Sequence, residues 1–337
     1  VSKVFIGLIF AVLTLVATTA PAAESGETSE NLKVGADTYV KYVLPVKNGP
    51  AIEYYISKPA RPSSLILYIQ GSGCAPAFVE TQPGVYASTV FSLTTTAHKG
   101  GHAVMIVDKP YAEKQQPRAA GTANYCSAAF NRYFAVEPWV RQISLALNHA
   151  LKRPWVKQGR TLVIGISEGA TTAAALAAAD DAVTDVALVG GSGPGQLFDF
   201  VAGAYASGKN DTERLQGLQS IEARLRDIQA APEDASKFAW GHPYKRWSSF
   251  FKASSLRNLM RSRARVYLVS GMADTNVPIL STEILYSELA SAGRDVRFRR
   301  VPDADHMLLP RGADFAESFP LLESEYARIL DWFDAQE

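Results

Sequence analysis

The chain has little of three things on which many functions depend: its 337 residues carry two cysteines, five histidines and a formal net charge of +1. The histidines and cysteines show no metal-ligand spacing. The basic residues are spread along the chain rather than gathered into a nucleic-acid-binding face. No P-loop and no G-x-G-x-x-G follows a strand, which argues against a nucleotide enzyme. The apolar run at residues 4–17 is too short to span a bilayer comfortably, and no internal repeat is found. What is present is an ordinary globular composition, 47% hydrophobic and 20% charged, with ample material for a core.

That apolar run follows Lys3 and precedes Ala20-Pro21-Ala22, a small-x-small cleavage site. The pattern predicts an export signal over residues 1–22, cut after Ala22 or Ala23, and a periplasmic or secreted protein. Its removal leaves equal numbers of acidic and basic residues. Residues 23–36 are polar and lack an apolar period, which predicts a flexible leader before a folded unit at 37–337. Export places Cys74 and Cys126 in an oxidising compartment, where a disulfide is expected between them. Neither has a nearby histidine in a motif that would make it a nucleophile.

Strand-like runs at 37–46 and 52–58 meet at Asn48-Gly49-Pro50, a turn signal. Nearly continuous apolar runs at 64–70 and 103–108 predict strands buried on both faces. A helix is predicted at 85–98, an irregular polar-aromatic stretch at 111–135, and an amphipathic helix at 136–151 through Val140, Ile143, Leu147 and Leu151. Strands at 161–166, 185–190, 265–270 and 296–301 then alternate with helices at 169–179, 280–292 and 321–333. Such alternation implies an α/β fold with a mostly parallel, doubly wound sheet. Residues 196–263 interrupt the rhythm with helical pattern, no strand, and an aromatic-rich segment at 238–251. Inserted on the side where the candidate nucleophile emerges, this stretch reads as a helical lid. Trp240, His242, Tyr244 and Trp247 are its candidate substrate contacts.

Gly165-Ile166-Ser167-Glu168-Gly169 fits the G-x-S-x-G nucleophile elbow, with a β-rich run before it and an alanine-rich helical run after it. A serine on that turn is pushed into solvent above a helix N-terminus that favours negative charge. It needs a base and a group to hold the base. In a doubly wound hydrolase the chain order is serine, acid, histidine. Of the histidines at 98, 102, 149, 242 and 306, only His306 follows the last strand. His98 and His102 precede a strand, and His149 is expected to be solvated. Asp274, just past the 265–270 strand, is the expected acid. Asp303 and Asp305 compete but are too near His306 to orient it and read as loop caps. The expected oxyanion donors are the backbone N–H groups of Glu168 and of Ser72 or Gly73, after the 64–70 strand. The Glu168 side chain either complements the helix dipole or reads a cationic group on the substrate.

These residues resemble the α/β-hydrolase superfamily: GISEG with Ser167, GMADTNVP with Asp274 and DHM with His306, over roughly residues 50–335. The S-E-G elbow and the Tyr244–Trp247 segment look like secreted hydrolases near the dienelactone-hydrolase and prolyl-oligopeptidase-like groups. The resemblance implies a Ser-His-Asp hydrolase working through an acyl-enzyme on a carboxylic ester, with neither metal nor organic cofactor. A serine peptidase of aminopeptidase type is the alternative on the same triad, and a lyase or acyltransferase would keep it too. A non-catalytic binding protein would normally lose a triad member. The implied partner is a small ester or short peptide, not nucleic acid, with no stable membrane insertion after signal cleavage. Oligomeric state stays open. One departure is Gln70, where such enzymes carry a histidine before the oxyanion glycine.

Overall fold

The computed structural model describes residues 26–34, 37–83, 85–88, 100–112 and 126–335. The predicted signal at 1–22 and His98 lie outside them. Eleven strands form one sheet. In chain order they are β1 (Thr28–Val34), β2 (Asp37–Leu44), β3 (Ile52–Ser57), β4 (Ser63–Ile69), β5 (Phe78–Gln82), β6 (Val85–Ser88), β7 (Ala103–Val107), β8 (Val156–Ile166), β9 (Asp185–Val189), β12 (Arg265–Gly271) and β13 (Val296–Val301), in spatial order β13-β12-β9-β8-β4-β7-β3-β2-β1-β6-β5. The run from β13 to β7 is parallel throughout, and β7, β3, β2 and β1 pair antiparallel.

The continuous apolar runs are explained by two cores, one on each face. Leu65, Leu67 and Ile69 of β4 enter the first with Met105 of β7 and Val163 of β8, against α2 (Val136–Ala150) and α3 (Glu168–Ala179). Ile66 and Tyr68 enter the second with Ile106 and Ile164, against the last helix, Phe315–Asp334. A strand with a core on each side has no polar face, so it loses the alternation of a half-buried strand. Parallel strands joined by helices bring all their carboxyl ends to one edge, where open α/β sheets bind ligands.

Several expectations need correction. Residues 23–36 are not simply a flexible leader: β1 pairs with β2 from Thr28↔Val43 to Val34↔Asp37, burying Leu32 and Val34. Two alternate apolar residues carry that strand, too few to register as a period. Val85–Ser88 begins no helix; it is strand β6, held between β1 and the edge strand β5, and 89–98 lie outside the described residues. The 111–135 stretch contains a short helix, α1 (Ala128–Tyr133), capped by the Ser127 side chain. The last helix starts at Phe315 and runs through Pro320, because a proline near a helix start gives up a single ladder bond. His149 is not solvated: its Nε2 donates to Glu27 Oε2 at 3.0 Å, and its Nδ1 is hydrogen-bonded with Tyr54 Oη at 2.6 Å.

The insertion between β9 and β12 comprises α4 (Gln196–Ser207), α5 (Asp211–Ala230), α6 (Tyr244–Lys252) and α7 (Ser255–Arg261). Contrary to expectation it contains strand: β10 (Phe238–Ala239) and β11 (His242–Pro243) form a small hairpin. Trp240 and Gly241 turn it with φ of 43° and 78°, the positive angles that a two-residue hairpin loop requires. No helix among the described residues is long and apolar enough to cross a membrane.

Candidate active site

β8 ends at Ile166 and α3 begins at Glu168, so the whole reversal is made at Ser167, whose φ is 55° and ψ −119°. A side chain is rare at such angles and is held there only by its surroundings. The Ser167 N–H donates to Val189 O at 2.9 Å. The flanking glycines are explained by approach distance. A Cβ on Gly169 would overlap the carbonyls of Ile69 and Gln70, and one on Gly165 would overlap the Gly169 carbonyl. The elbow packs directly on the end of β4.

Asp274 and His306 reach the same edge from β12 and β13. A Cβ on Gly271 would overlap the Ala304 and Asp305 carbonyls, and Ala273 N donates to Ala304 O at 2.8 Å. That contact locks the acid's turn to the histidine's loop. Asp274 Oδ1 accepts from the N–H of Asn276 at 2.8 Å and of Val277 at 2.9 Å, leaving Oδ2 to His306 Nδ1 at 2.7 Å. The carboxylate is an acceptor, so Nδ1 carries the proton and Nε2 is left as acceptor for the Ser167 hydroxyl, 3.0 Å away. The Asp274 side chain is buried. Asp305 caps its own loop by accepting from Met307 N and Leu309 N at 2.8 and 3.1 Å. Asp303 is exposed at a positive φ on the same turn.

Glu168 was expected either to complement the helix dipole or to read a substrate cation. Its side chain is buried and engaged with two cations of the protein. Lys109 Nζ donates to Oε1 at 2.9 Å, and Arg246 Nε and Nη2 donate to Oε2 at 3.0 and 2.7 Å. Burial pushes the Glu168 carboxyl up, but the Lys109 and Arg246 charges outweigh it and hold it down at about 2. Burial lowers Lys109. His242, close by, is pulled down to about 4 by burial and by the Arg246 charge, so its imidazole is neutral at pH 7.

The Ser167 hydroxyl opens into a cavity of about 870 Å³ between the sheet edge and the insertion. Ser72, Glu168, His306, Trp240, His242, Arg246 and Trp247 line it, together with Gln196, Asp199 and Phe200 of α4. Gly73 and Tyr244 are not in its wall. Tyr244 is instead packed with Ile228, Ala239 and Trp247, because the first turn of α6 faces the insertion's own small core. Asp199, Arg246 and Lys109 were not found from the sequence. Burial raises Asp199 to about 6 against the hydrogen bonds of Ser281 and Ser192, and its Oδ1 has no hydrogen-bond partner among the described residues. Cys74 and Cys126 are disulfide-bonded, which ties the Gly71–Ala77 loop to the start of α1. Among the described residues, no group of three or more His, Cys, Asp or Glu side chains could hold a metal ion.

An eleven-stranded, mostly parallel sheet with a serine elbow, an acid and a histidine at its carboxyl edge is the α/β-hydrolase fold. The model of the Prolyl oligopeptidase family matches residues 230–336, a segment that holds Asp274 and His306 but not Ser167. No curated protein matches the chain in sequence. Among solved structures it is similar to Est1E from Butyrivibrio proteoclasticus, with TM-score 0.51 and 11% identity over 89% of this chain and 98% of that one. It is also similar to acetyl xylan esterase 1 from Thermoanaerobacterium sp., with TM-score 0.55 and 15% identity over 90% and 88%. A third is the acylaminoacyl peptidase of Pyrococcus horikoshii, with TM-score 0.58 and 14% identity over 91% of this chain and 41% of that one. The chain thus spans about two-fifths of the peptidase and most of each esterase. Identities this low are a likeness of fold.

Proposed function

We propose that the chain is an exported serine hydrolase that cleaves a carboxylic ester through an acyl-enzyme. The observation that carries the reading is the relay Ser167 Oγ–His306 Nε2 at 3.0 Å and His306 Nδ1–Asp274 Oδ2 at 2.7 Å. Ser167 Oγ attacks the ester carbonyl while His306 Nε2 takes its proton, and Asp274 stabilises the imidazolium. The N–H groups of Ser72 and Glu168 receive the oxyanion. The tetrahedral intermediate collapses with the alcohol leaving, protonated by His306. Water, deprotonated by the same nitrogen, then releases the acid and restores Ser167. The insertion at 196–263 acts as the lid that walls the acyl pocket with Trp240, His242 and Trp247. Export rests on the sequence pattern of residues 1–22.

An ester is favoured over an amide because the carboxylate at the elbow, a possible receiver for a peptide's amino group, is consumed by Lys109 and Arg246. The match to the Prolyl oligopeptidase family favours the peptidase alternative. One assay separates them: p-nitrophenyl esters beside aminoacyl-p-nitroanilides, with wild type and Ser167→Ala. We expect turnover of esters by wild type alone, and fluorophosphonate labelling that is lost in Ser167→Ala. Faster anilide than ester turnover would make it a peptidase, and equal labelling of the mutant would place the nucleophile elsewhere.

A further inference from the structure

Lys109 has no place in the relay, yet it is a buried lysine, 2% exposed, bonded to the side chain of the residue that follows the nucleophile. It stands two residues past the end of β7, at the carboxyl edge of the sheet. An ammonium has three donors, and all three are spent: on Gly71 O at 2.5 Å, Gly73 O at 2.9 Å and Glu168 Oε1 at 2.9 Å. The amine therefore joins the two segments that must supply the oxyanion donors, the loop after β4 and the first residue of α3.

The direction of these bonds matters as much as their number. A trans peptide holds its C=O and the following N–H antiparallel in one plane. With the Gly71 carbonyl fixed on Lys109 Nζ, the Ser72 N–H must point away from Lys109. Ser72 lines the cavity into which the Ser167 hydroxyl opens, whereas Gly73 does not, and no acceptor among the described residues takes the Ser72 amide. The Glu168 N–H is the first of α3 and has no partner within the helix. Its side chain is held by the same amine. A flexible loop of small residues would rotate its peptides freely; here neighbouring contacts hold it as well. Asp108 Oδ1 accepts from Ala77 N at 2.6 Å, and the Cys74–Cys126 bridge adds a covalent tie.

We propose that Lys109 is the positioning residue of the oxyanion hole: it sets the Gly71–Ser72 peptide so that the Ser72 N–H, rather than that of Gly73, joins the Glu168 N–H at the carbonyl oxygen. The inference rests on the hydrolase reading above. Donors fixed in advance are worth more than donors that must reorient during the reaction, and losing one costs about 10²–10³ in kcat. A misplaced peptide harms the tetrahedral state and leaves ground-state binding nearly untouched, because the planar ester demands less of that hydrogen bond.

The test uses Lys109→Met and, as a variant that keeps a buried cation while changing its geometry, Lys109→Arg. Active sites are titrated with a p-nitrophenyl phosphonate, so that kcat is expressed per competent site and misfolded molecules do not count. We expect kcat per site to fall at least about tenfold in both variants, with KM changed less than about threefold. The phosphonylation rate of Ser167 should fall in parallel with kcat. A structural role alone would lower the melting temperature and the titrated fraction, and leave kcat per site as in wild type. That result in either variant overturns the proposal. A wild type that neither turns over an ester nor is phosphonylated at Ser167 overturns the hydrolase reading, and the role of Lys109 with it.

Discussion

Asp199 shows how one buried atom sets a pH dependence. Its carboxyl is 7% exposed, lines the cavity and is raised by burial to about 6 from an ordinary 3.8. Below 3.8 both the folded and unfolded chains carry the proton, and burial costs nothing. Between 3.8 and 6 the unfolded chain ionises first, so stability falls as the pH rises. Above 6 the folded protein holds a buried charge, and the penalty is complete at about 3 kcal/mol. Asp199→Asn should therefore stabilise the protein by up to that amount at pH 8 and by almost nothing at pH 4. Urea unfolding at the two values measures it, and an equal gain at both would show that Asp199 is not raised. Glu168 runs the other way. Held near 2, it contributes stability at neutral pH that is lost as the pH falls through the acid range.

Among the elements, the insertion divides its aromatics between two tasks. Trp247 and Tyr244 are buried with Ile228 and Ala239, and the Trp247 indole N–H donates to Ala239 O at 2.5 Å. Trp240 is 37% exposed, lies in the cavity wall and stacks on Phe200 at 4.4 Å between centroids. Trp240→Ala is expected to reorder ester chain lengths by kcat/KM with little change in melting temperature. Tyr244→Ala should leave the order intact and cost about 3 kcal/mol, the size of a deleted buried aromatic. Calorimetry and an ester series on both variants decide it. A reordered series in Tyr244→Ala with unchanged stability would return Tyr244 to the pocket. Trp247 does both jobs, since it lines the cavity and anchors the insertion, so its substitution would not separate them.

For the whole molecule, the disulfide is the one covalent tie between distant parts of the chain. It closes a loop of 52 residues, for which the chain-entropy account gives about 4 kcal/mol. Reduction is expected to lower the unfolding free energy by up to that amount. It should lower kcat as well, because Cys74 lies in the loop that carries Ser72. Unfolding and turnover measured with and without a reductant test both. Unchanged turnover after full reduction would show that Lys109 and Asp108 suffice to hold the loop.

Ser167, Asp274 and His306 were legible in the sequence because each sits in its own local pattern: a strand-to-helix turn with glycines that allow close approach, and two strand-end loops. The parallel strands were legible for a related reason, since burial on both faces leaves an unbroken apolar run. Strand β1 was missed because only Leu32 and Val34 mark it, and β10–β11 because two residues make no period. The partners of Glu168 were hidden by distance. Lys109 is 59 residues away in the chain and Arg246 is 78, and nothing local to any of them signals the pairing. The sequence by itself determined the turns that carry Ser167, Asp274 and His306 and which side chains stand on them. Only the tertiary structure decided which buried charges meet, because an ion pair is a property of two distant segments brought to one place, and its energy depends on the burial that packing creates.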